Sequence, residues 1–407
     1  MSHLPLIRPL DLQPVHHQGQ QMWLLRDPLG LAERQLILPP LLAHMLRYCD
    51  GEHTSADIRL ALSADAGFDV PLTAVTDALA ELDRACLLDN ARSATAVQSQ
   101  LAAYRAQPNR PPALAGHSYP AQPDALARLF DAYGAADDPG EWSNRTARGI
   151  VSPHIDYQRG GPVYAQVWRR SAATVLEADL VVILGTDHNG SPGSITLTRQ
   201  AYATPFGELP ADVAVVDALA AAVGEDAAFA EELHHRGEHS IELSAVWLHD
   251  IFRRAERPPC PMVPVLVGSF HHFLTNGSHP ARDARLQAFL DALAVVSAGR
   301  RVLVVGSVDL AHVGPAFGDA FGLDRERRQA LRAEDAALMA AITRGDADAF
   351  YDRIAAVGDR HRICGFAPLY LMLSHLGPAS GEIVDYHHCP ADEHDTSLVS
   401  ICGLLLS

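Results

Sequence analysis

The sequence predicts an α/β domain built on a mostly parallel central sheet with helices on both faces, preceded by a small, α-rich, winged-helix-like domain. Three observations carry this reading. The chain has 407 residues, too many for one ordinary domain and enough to bury a sizeable core. From about Pro112 onward, apolar β-branched runs alternate with segments of helical period, as buried parallel strands joined by crossover helices do. Ahead of them, residues 1–95 show three short helical patterns separated by turn and capping residues.

The first helix pattern spans LPPLLAHMLRYC, and a turn falls at Asp50-Gly51. A second covers SADIRLALS, with Thr54 or Ser55 placed to cap it. The third fits VPLTAVTDALAELDRACLL, where Val75, Leu79, Leu82 and Leu87 recur close to helical period. A weak strand pair, MWLLR and QLIL, completes an outline shared by winged helices and by the small peptide-chaperone modules of modified-peptide pathways. Asp77, Glu81 and Asp83 on the third helix face a single Arg84, the wrong sign for a DNA groove. Protein or peptide docking is therefore the expected role of residues 1–95, and no nucleic-acid partner is expected. Composition then turns small, polar and proline-rich in NARSATAVQSQLAAYRAQPNRPP, read as a linker over 96–111.

The second domain is read over 112–407. GIVSPHI leads to a helix after Gly161, and LVVIL leads through a loop to the helix VAVVDALAAAVG. A helix from Ile241 to Phe252 precedes MVPVLVG, ARLQAFLDALAVVS precedes VLVVGS, and a long helix runs from Arg325 to Ile342.

Composition narrows the chemistry. All 32 basic residues are arginine, which removes Schiff-base lysines and the P-loop lysine together. No GxSxG, Walker or GxGxxG motif is present, which argues against hydrolase, NTPase and dinucleotide readings. The net charge of −17 and the absence of an arginine cluster disfavour a phosphate-backbone surface. Six scattered cysteines without a CxxC pair fit reduced thiols. MSHLPLIRPLDLQP lacks a basic region followed by an apolar run, and no stretch approaches the ~20 apolar residues that span a bilayer. A soluble, cytoplasmic protein without a membrane partner is expected.

Histidine is the unusual residue, with 21 in the chain. Most of the doublets (His16-His17, His234-His235, His271-His272, His387-His388) read as surface or loop residues. Three strands, however, end alike: GIVSPHID, VVILGTDH and VLVVGSVDLAH each pass from a buried run into a polar cluster with histidine. Ligands of open α/β sheets bind beyond the carboxyl ends of the strands, so His154, His188 and His312 can converge there. Imidazole is the commonest metal ligand, and Asp187 and Asp309 stand where a carboxylate either fixes its tautomer or caps the following turn. Cys364, in HRICGFAPLYLML, is either a small buried hydrophobe or a thiolate favoured by flanking arginines and a helix N-terminus. In GEHSIELSAVWL, His239 and Glu242 share a helix face, as supporting or substrate-facing groups or as ordinary first-turn residues.

PALAGHSYPAQPDALARLF, VSPHIDYQRGGPVYA, VVILGTDHNG, TPFGELPADVAVVDAL, EHSIELSAVWL, VPVLVG, VVGSVDLAHVG and RICGFAPLYLML, in this order, resemble the motifs of the Memo family. The resemblance covers Pro112 to Ser407 and implies the fold of class III extradiol dioxygenases, with a mononuclear non-haem iron in a cleft at the sheet's edge. It places metal ligands at His154, His188 and Cys364, with His312 beside them as ligand or acid–base residue. The dioxygenases use glutamate where Cys364 stands; a thiolate is softer and also binds copper or zinc. The family's PHAGY appears here as PHIDY, its GPSH or GPNH as GTDH, and its SSD as SVD. Asp156 thereby enters beside the first histidine, as ligand, as general base, or pointing away.

Two functions follow from the resemblance. One is an Fe(II)-dependent redox enzyme, with Cu or Zn as alternative metals, in which His312, His239, Asp309 and Cys364 serve catalysis on a small molecule or peptide. The other is a non-catalytic scaffold that binds a peptide or protein, working with a radical-SAM modification system.

Overall fold

The computed structural model describes residues 4–17, 19–32, 36–134 and 147–407, which form two compact units, 1–107 and 108–407. In the first, strands β1 (Asp11–His17), β2 (Gln20–Arg26) and β3 (Leu36–Leu38) make an antiparallel sheet. Gln35, first residue of the expected strand QLIL, lies outside the described residues. Strand β1 was not expected, because Pro14 and two histidines give DLQPVHH no apolar alternation.

Helices α1 (Pro40–Met45), α2 (Ser55–Ala66) and α3 (Leu72–Arg84) follow. Thr54 caps α2 reciprocally with Asp57, and Ile58, Leu62, Val75 and Leu82 enter one core with Leu25 and Met45. The segment expected to be a linker instead forms α4 (Ala91–Arg105). The Asn90 side chain accepts from the N–H groups of Arg92 (2.9 Å) and Ser93 (3.3 Å), while Ser93 Oγ accepts from Asn90 N–H (3.0 Å). Alanine, glutamine and arginine are strong helix formers, and Ser93, Leu101 and Tyr104 bury one face. Small and polar composition disguised a well-capped helix.

The second unit opens with α5 (Pro123–Tyr133), β4 (Gly149–Ser152), α6 (Tyr157–Arg170), α7 (Ala172–Glu177) and β5 (Leu180–Thr186). Short strands β6 (Ile195–Leu197), β7 (Tyr202–Thr204) and β8 (Gly207–Leu209) lead to α8 (Val213–Val223) and α9 (Glu225–Phe229). Then come α10 (Ser240–Arg254), β9 (Met262–Val267), α11 (His271–Thr275), α12 (Ala284–Ser297), β10 (Val302–Ser307) and β11 (His312–Val313). Helices α13 (Arg325–Thr343), α14 (Ala347–Ala356) and α15 (Phe366–Leu376) precede β12 (Gly381–Pro390) and β13 (Leu398–Leu406).

The central sheet runs β11-β13-β4-β10-β5-β9-β6, with β12 on β13. β4, β10, β5 and β9 are parallel; β6 pairs antiparallel with β9, and β13 pairs antiparallel with β4, β11 and β12. Strand alternation sorts side chains between two cores. Val182 and Leu184 join Val263, Val265 and residues of α8, α12 and α15, whereas Val181 and Ile183 join Trp168, Trp247 and residues of α6 and α10. Helix α6 starts at Tyr157, ahead of the expected start after Gly161, because Asp156 caps it by accepting Arg159 N–H (3.1 Å). Among the described residues no helix is long and apolar enough to cross a membrane.

Asn90→Ala removes the one acceptor, Oδ1, that serves the N–H groups of Arg92 and Ser93 and is expected to destabilise the N-terminal unit by about 1 kcal/mol. The shift of its urea-unfolding midpoint measures this; no shift would mean that α4 owes nothing to the cap.

Candidate metal centre

The parallel neighbours β4, β10 and β5 end at Ser152, Ser307 and Thr186. Two residues beyond each end stand His154, Asp309 and His188, so three loops open onto the same edge of the sheet. The turn before α10 brings a fourth group, His239. His154, His188 and His239 offer metal-ligating atoms that all lie within 4.8 Å of one another. The His188 and His239 rings stack at 4.8 Å between centroids, and His154 meets both edge-on at 5.1 and 5.3 Å.

Each ring has its Nδ1 engaged elsewhere. His154 Nδ1–H donates to Ser307 O (3.0 Å), and a carbonyl can only accept, so the tautomer is fixed. His188 Nδ1–H donates to the Glu238 carboxylate (3.1 Å), and His239 Nδ1 lies 3.0 Å from the same carboxylate. Nε2 is the nitrogen left to each. Burial pulls His154 well below the ordinary histidine range and keeps it neutral. Burial also opposes charge on His188, but the Glu238 carboxylate and the Cys364 sulfur together outweigh it and raise His188 well above that range. Glu238 is itself buried, which favours its neutral form, yet the charge and hydrogen bonds of His188 hold it ionised, well below the usual carboxylate range.

Cys364 stands outside the three-histidine group but against it. Its Sγ lies 3.2 Å from His154 Nε2 and 3.4 Å from Asp309 O, and it hydrogen-bonds His188. Thr186 Oγ1–H donates to Cys364 O (2.9 Å), tying the turn to the end of β5. The next residue must be glycine: a Cβ on Gly365 would lie 2.6 Å from Val308 Cβ and 2.8 Å from Asp309 O. Burial raises the Cys364 thiol pKa, contrary to the expected thiolate-favouring surroundings. The arginines are turned to other partners, Arg362 to Asp319 and Arg360 to Glu334. A cation seated here would instead displace the proton itself.

The remaining expected residues lie as follows. Asp309 accepts from the N–H groups of His154 (2.9 Å) and Ile155 (3.2 Å), and burial raises its pKa to about 6. His312 donates from Nδ1 to Leu310 O (3.2 Å) and stands outside the three-histidine group; burial lowers its pKa to about 4. Asp156 points away, pairing with Arg159 (2.6 Å) as it caps α6. Asp187 accepts from His234 Nδ1–H (2.9 Å), not from His188. With Glu231, these two form a second group of potential ligands. Glu242 turns from His239 into a buried ion pair with Arg110. His235 departs from the surface reading: it is wholly buried, donating from Nε2 to Thr196 O (3.0 Å) and accepting at Nδ1 from Tyr202 O–H (2.7 Å). Sequence reasoning gave Glu238 no role at the site; its place beside His239 in GEHSIELSAVWL was the available signal.

Fold and cluster together define a mixed α/β protein with a histidine–cysteine group at the carboxyl ends of parallel strands. Residues 110–405 match the Memo-like protein family, and the chain belongs to it. A MEMO1 family protein of Aquifex aeolicus is 26% identical over 412 aligned residues, covering 98% of this chain and 99% of that protein. Similarity to it therefore runs through the N-terminal unit as well. MEMO1 family proteins of Methanosarcina mazei (26% identical) and Methanopyrus kandleri (28%) each cover 68% of this chain and 91% of their own length.

Gly365→Ala is expected to cost about 1–3 kcal/mol in urea unfolding; a variant as stable as the parent would contradict the close approach to Val308. Burial of His235 lowers its pKa to about 3 from the ordinary 6.5. A depressed histidine stabilises the fold above its unfolded pKa, and that stability drains as pH falls from about 6.5 toward 3, at about 1.4 kcal/mol per pH unit. His235→Gln should lose this component of the acid limb in unfolding midpoints taken between pH 6 and 4; an unchanged slope would show that the group does not titrate across folding.

Proposed function

We propose that this protein is a metal-dependent redox enzyme whose metal is held by His154, His188 and Cys364, with His239 as a further nitrogen donor. The observation that carries the reading is the convergence of three imidazoles, each with Nδ1 already engaged, with the part-buried Cys364 thiol against His154 and His188. The family resemblance points to Fe(II) first, while the thiolate makes copper and zinc competitors. Held there, ferrous iron would supply electrons for chemistry with dioxygen, the activity that the Memo resemblance implies through the extradiol dioxygenases.

The protein's own groups then handle protons. His312, neutral near pH 7 and held by Nδ1–H on Leu310 O and by a hydrogen bond to the Arg362 backbone, is the group proposed to take a proton. Asp309, with a pKa of about 6, sits 3.8 Å from His154 Nε2 and holds the His154 loop through two N–H groups. A purely structural zinc fits less well, because the donors come from separate strand ends and turns, not from a compact knuckle.

The winged-helix-like N-terminal unit serves docking of a protein or peptide, a role compatible with a radical-SAM modification partner. Asp77 and Glu81 on α3 disfavour nucleic acid, and Arg84 is paired with Glu81 (2.5 Å).

The test is metal content and oxygen uptake of anaerobically purified protein, beside His154→Ala and Cys364→Ser. Stoichiometric iron, lost in both variants together with metal-dependent O₂ consumption, is the expected result. Absence of bound metal from every preparation would overturn the reading, and metal without O₂ uptake would favour the scaffold.

A further inference from the structure

We propose that Arg110 is a positioning residue of this centre, fixing the backbone of the turn that carries Glu238; the proposal rests on the metal-centre reading above. Arg110 stands three residues beyond Gln107, where the N-terminal unit ends, and its side chain is wholly buried. Its guanidinium serves three targets. Nε–H donates to His235 O (2.8 Å), Nη2–H donates to Glu238 O (2.9 Å), and Nη1 pairs with the Glu242 carboxylate. Glu242 also accepts from the N–H groups of Ala113 (2.8 Å) and Leu114 (2.9 Å) and from Tyr119 O–H.

One buried ion pair thus ties residues 110–119 to two carbonyls that bracket the turn between His235 and Glu238. Arg110 also lies over the ring of Tyr202 (4.9 Å), whose hydroxyl holds His235. The rest of the turn is fastened as well: His234 to Asp187, and Glu238 to His188 and His239. Moving the Glu238 carbonyl therefore moves the carboxylate that aims two of the three rings.

A buried ion pair contributes little net stability compared with apolar packing of the same volume. What this one supplies is a fixed geometry. The planar fork reaches both carbonyls and the carboxylate at once, which the single ammonium of lysine cannot do. Lysine retains the charge opposite Glu242, so Arg110→Lys separates the fork from the charge.

The experiment titrates the full chain, stripped of metal by chelation, with Co(II) under anaerobic conditions, following the visible absorption of the bound ion. Thermal unfolding is recorded in parallel. Arg254→Lys is the control, since Arg254 pairs with the buried Asp250 (2.5 Å) and with Asp131 (2.6 Å) without touching the cluster. Arg110→Lys is expected to weaken Co(II) binding by about 10–100-fold and to change its spectrum, as loss of outer support for metal-ligating histidines does. The control should bind as wild type. A folded Arg110→Lys with wild-type affinity and spectrum overturns the proposal and leaves the metal centre standing; wild-type protein that binds no Co(II) overturns both. Should Arg110→Lys not fold, Arg110→Leu/Glu242→Met, which leaves no unpaired charge, carries the same expectations.

Discussion

The carboxylate of Glu238 accepts hydrogen bonds from the backbone N–H groups of His188 (3.1 Å), His239 (2.7 Å) and Ser240 (3.0 Å), and from the ring of His188 (3.1 Å). Burying a charge is costly unless its lone pairs are satisfied, and here they are. The anion is thereby locked between the loop after β5 and the first turn of α10. Both strand-end loop and helix start must come to it, which Gly185 permits: a Cβ there would lie 2.6 Å from Ser240 Oγ and 2.7 Å from Ile241 Cγ1. The stacking of His188 on His239 follows from this shared acceptor.

The sheet supplies the remaining geometry. Because β4, β10 and β5 are parallel and adjacent, the loops that follow them leave from the same edge, and Ser307 and Asp309 of one loop can hold His154 of the next. Ser307 serves twice, its carbonyl fixing the His154 tautomer and its hydroxyl donating to Ser240 O (2.5 Å). Through Ser240 the third loop is joined to the turn that Glu238 anchors. These side chains are therefore held by backbone-directed bonds on rigid elements, which limits the reorganisation that binding a cation would demand.

Much of this was legible in the sequence, for definite reasons. Buried parallel strands read as continuous apolar runs, so LVVIL, MVPVLVG and VLVVGS announced themselves, and the polar clusters after them marked the functional edge. What escaped were pairings between distant segments. That Asp187 turns to His234, or Glu242 to Arg110, depends on which loops meet, and no local spacing encodes it. Helix α4 escaped because its buried face holds only Ser93, Leu101 and Tyr104, too sparse for a periodic signal. The antiparallel pair β12 and β13 escaped too, since GEIVDYHHCP mixes polar residues through a half-covered strand.

The places where this chain departs from the usual Memo motifs have local structural partners. Ile155, in PHIDY, packs with Val163, Cys389, Val399 and Ile401 over Gly160, where a Cβ would lie 2.5 Å from Ile155 Cγ2. Asp156 caps α6. Thr186, where the family has proline, donates its hydroxyl to Cys364 O, a bond proline cannot make. Asp187 takes His234 as its partner, and Val308, in SVD, fills the space that Gly365 leaves open. Every one of these changes is absorbed by packing, a cap or a hydrogen bond, and none of the five inserts a side chain among His154, His188, His239 and Cys364. The five changes thus lie around these four side chains without reaching between them. What they alter is the packing and hydrogen bonding of the loops that frame the four side chains, not the space among them.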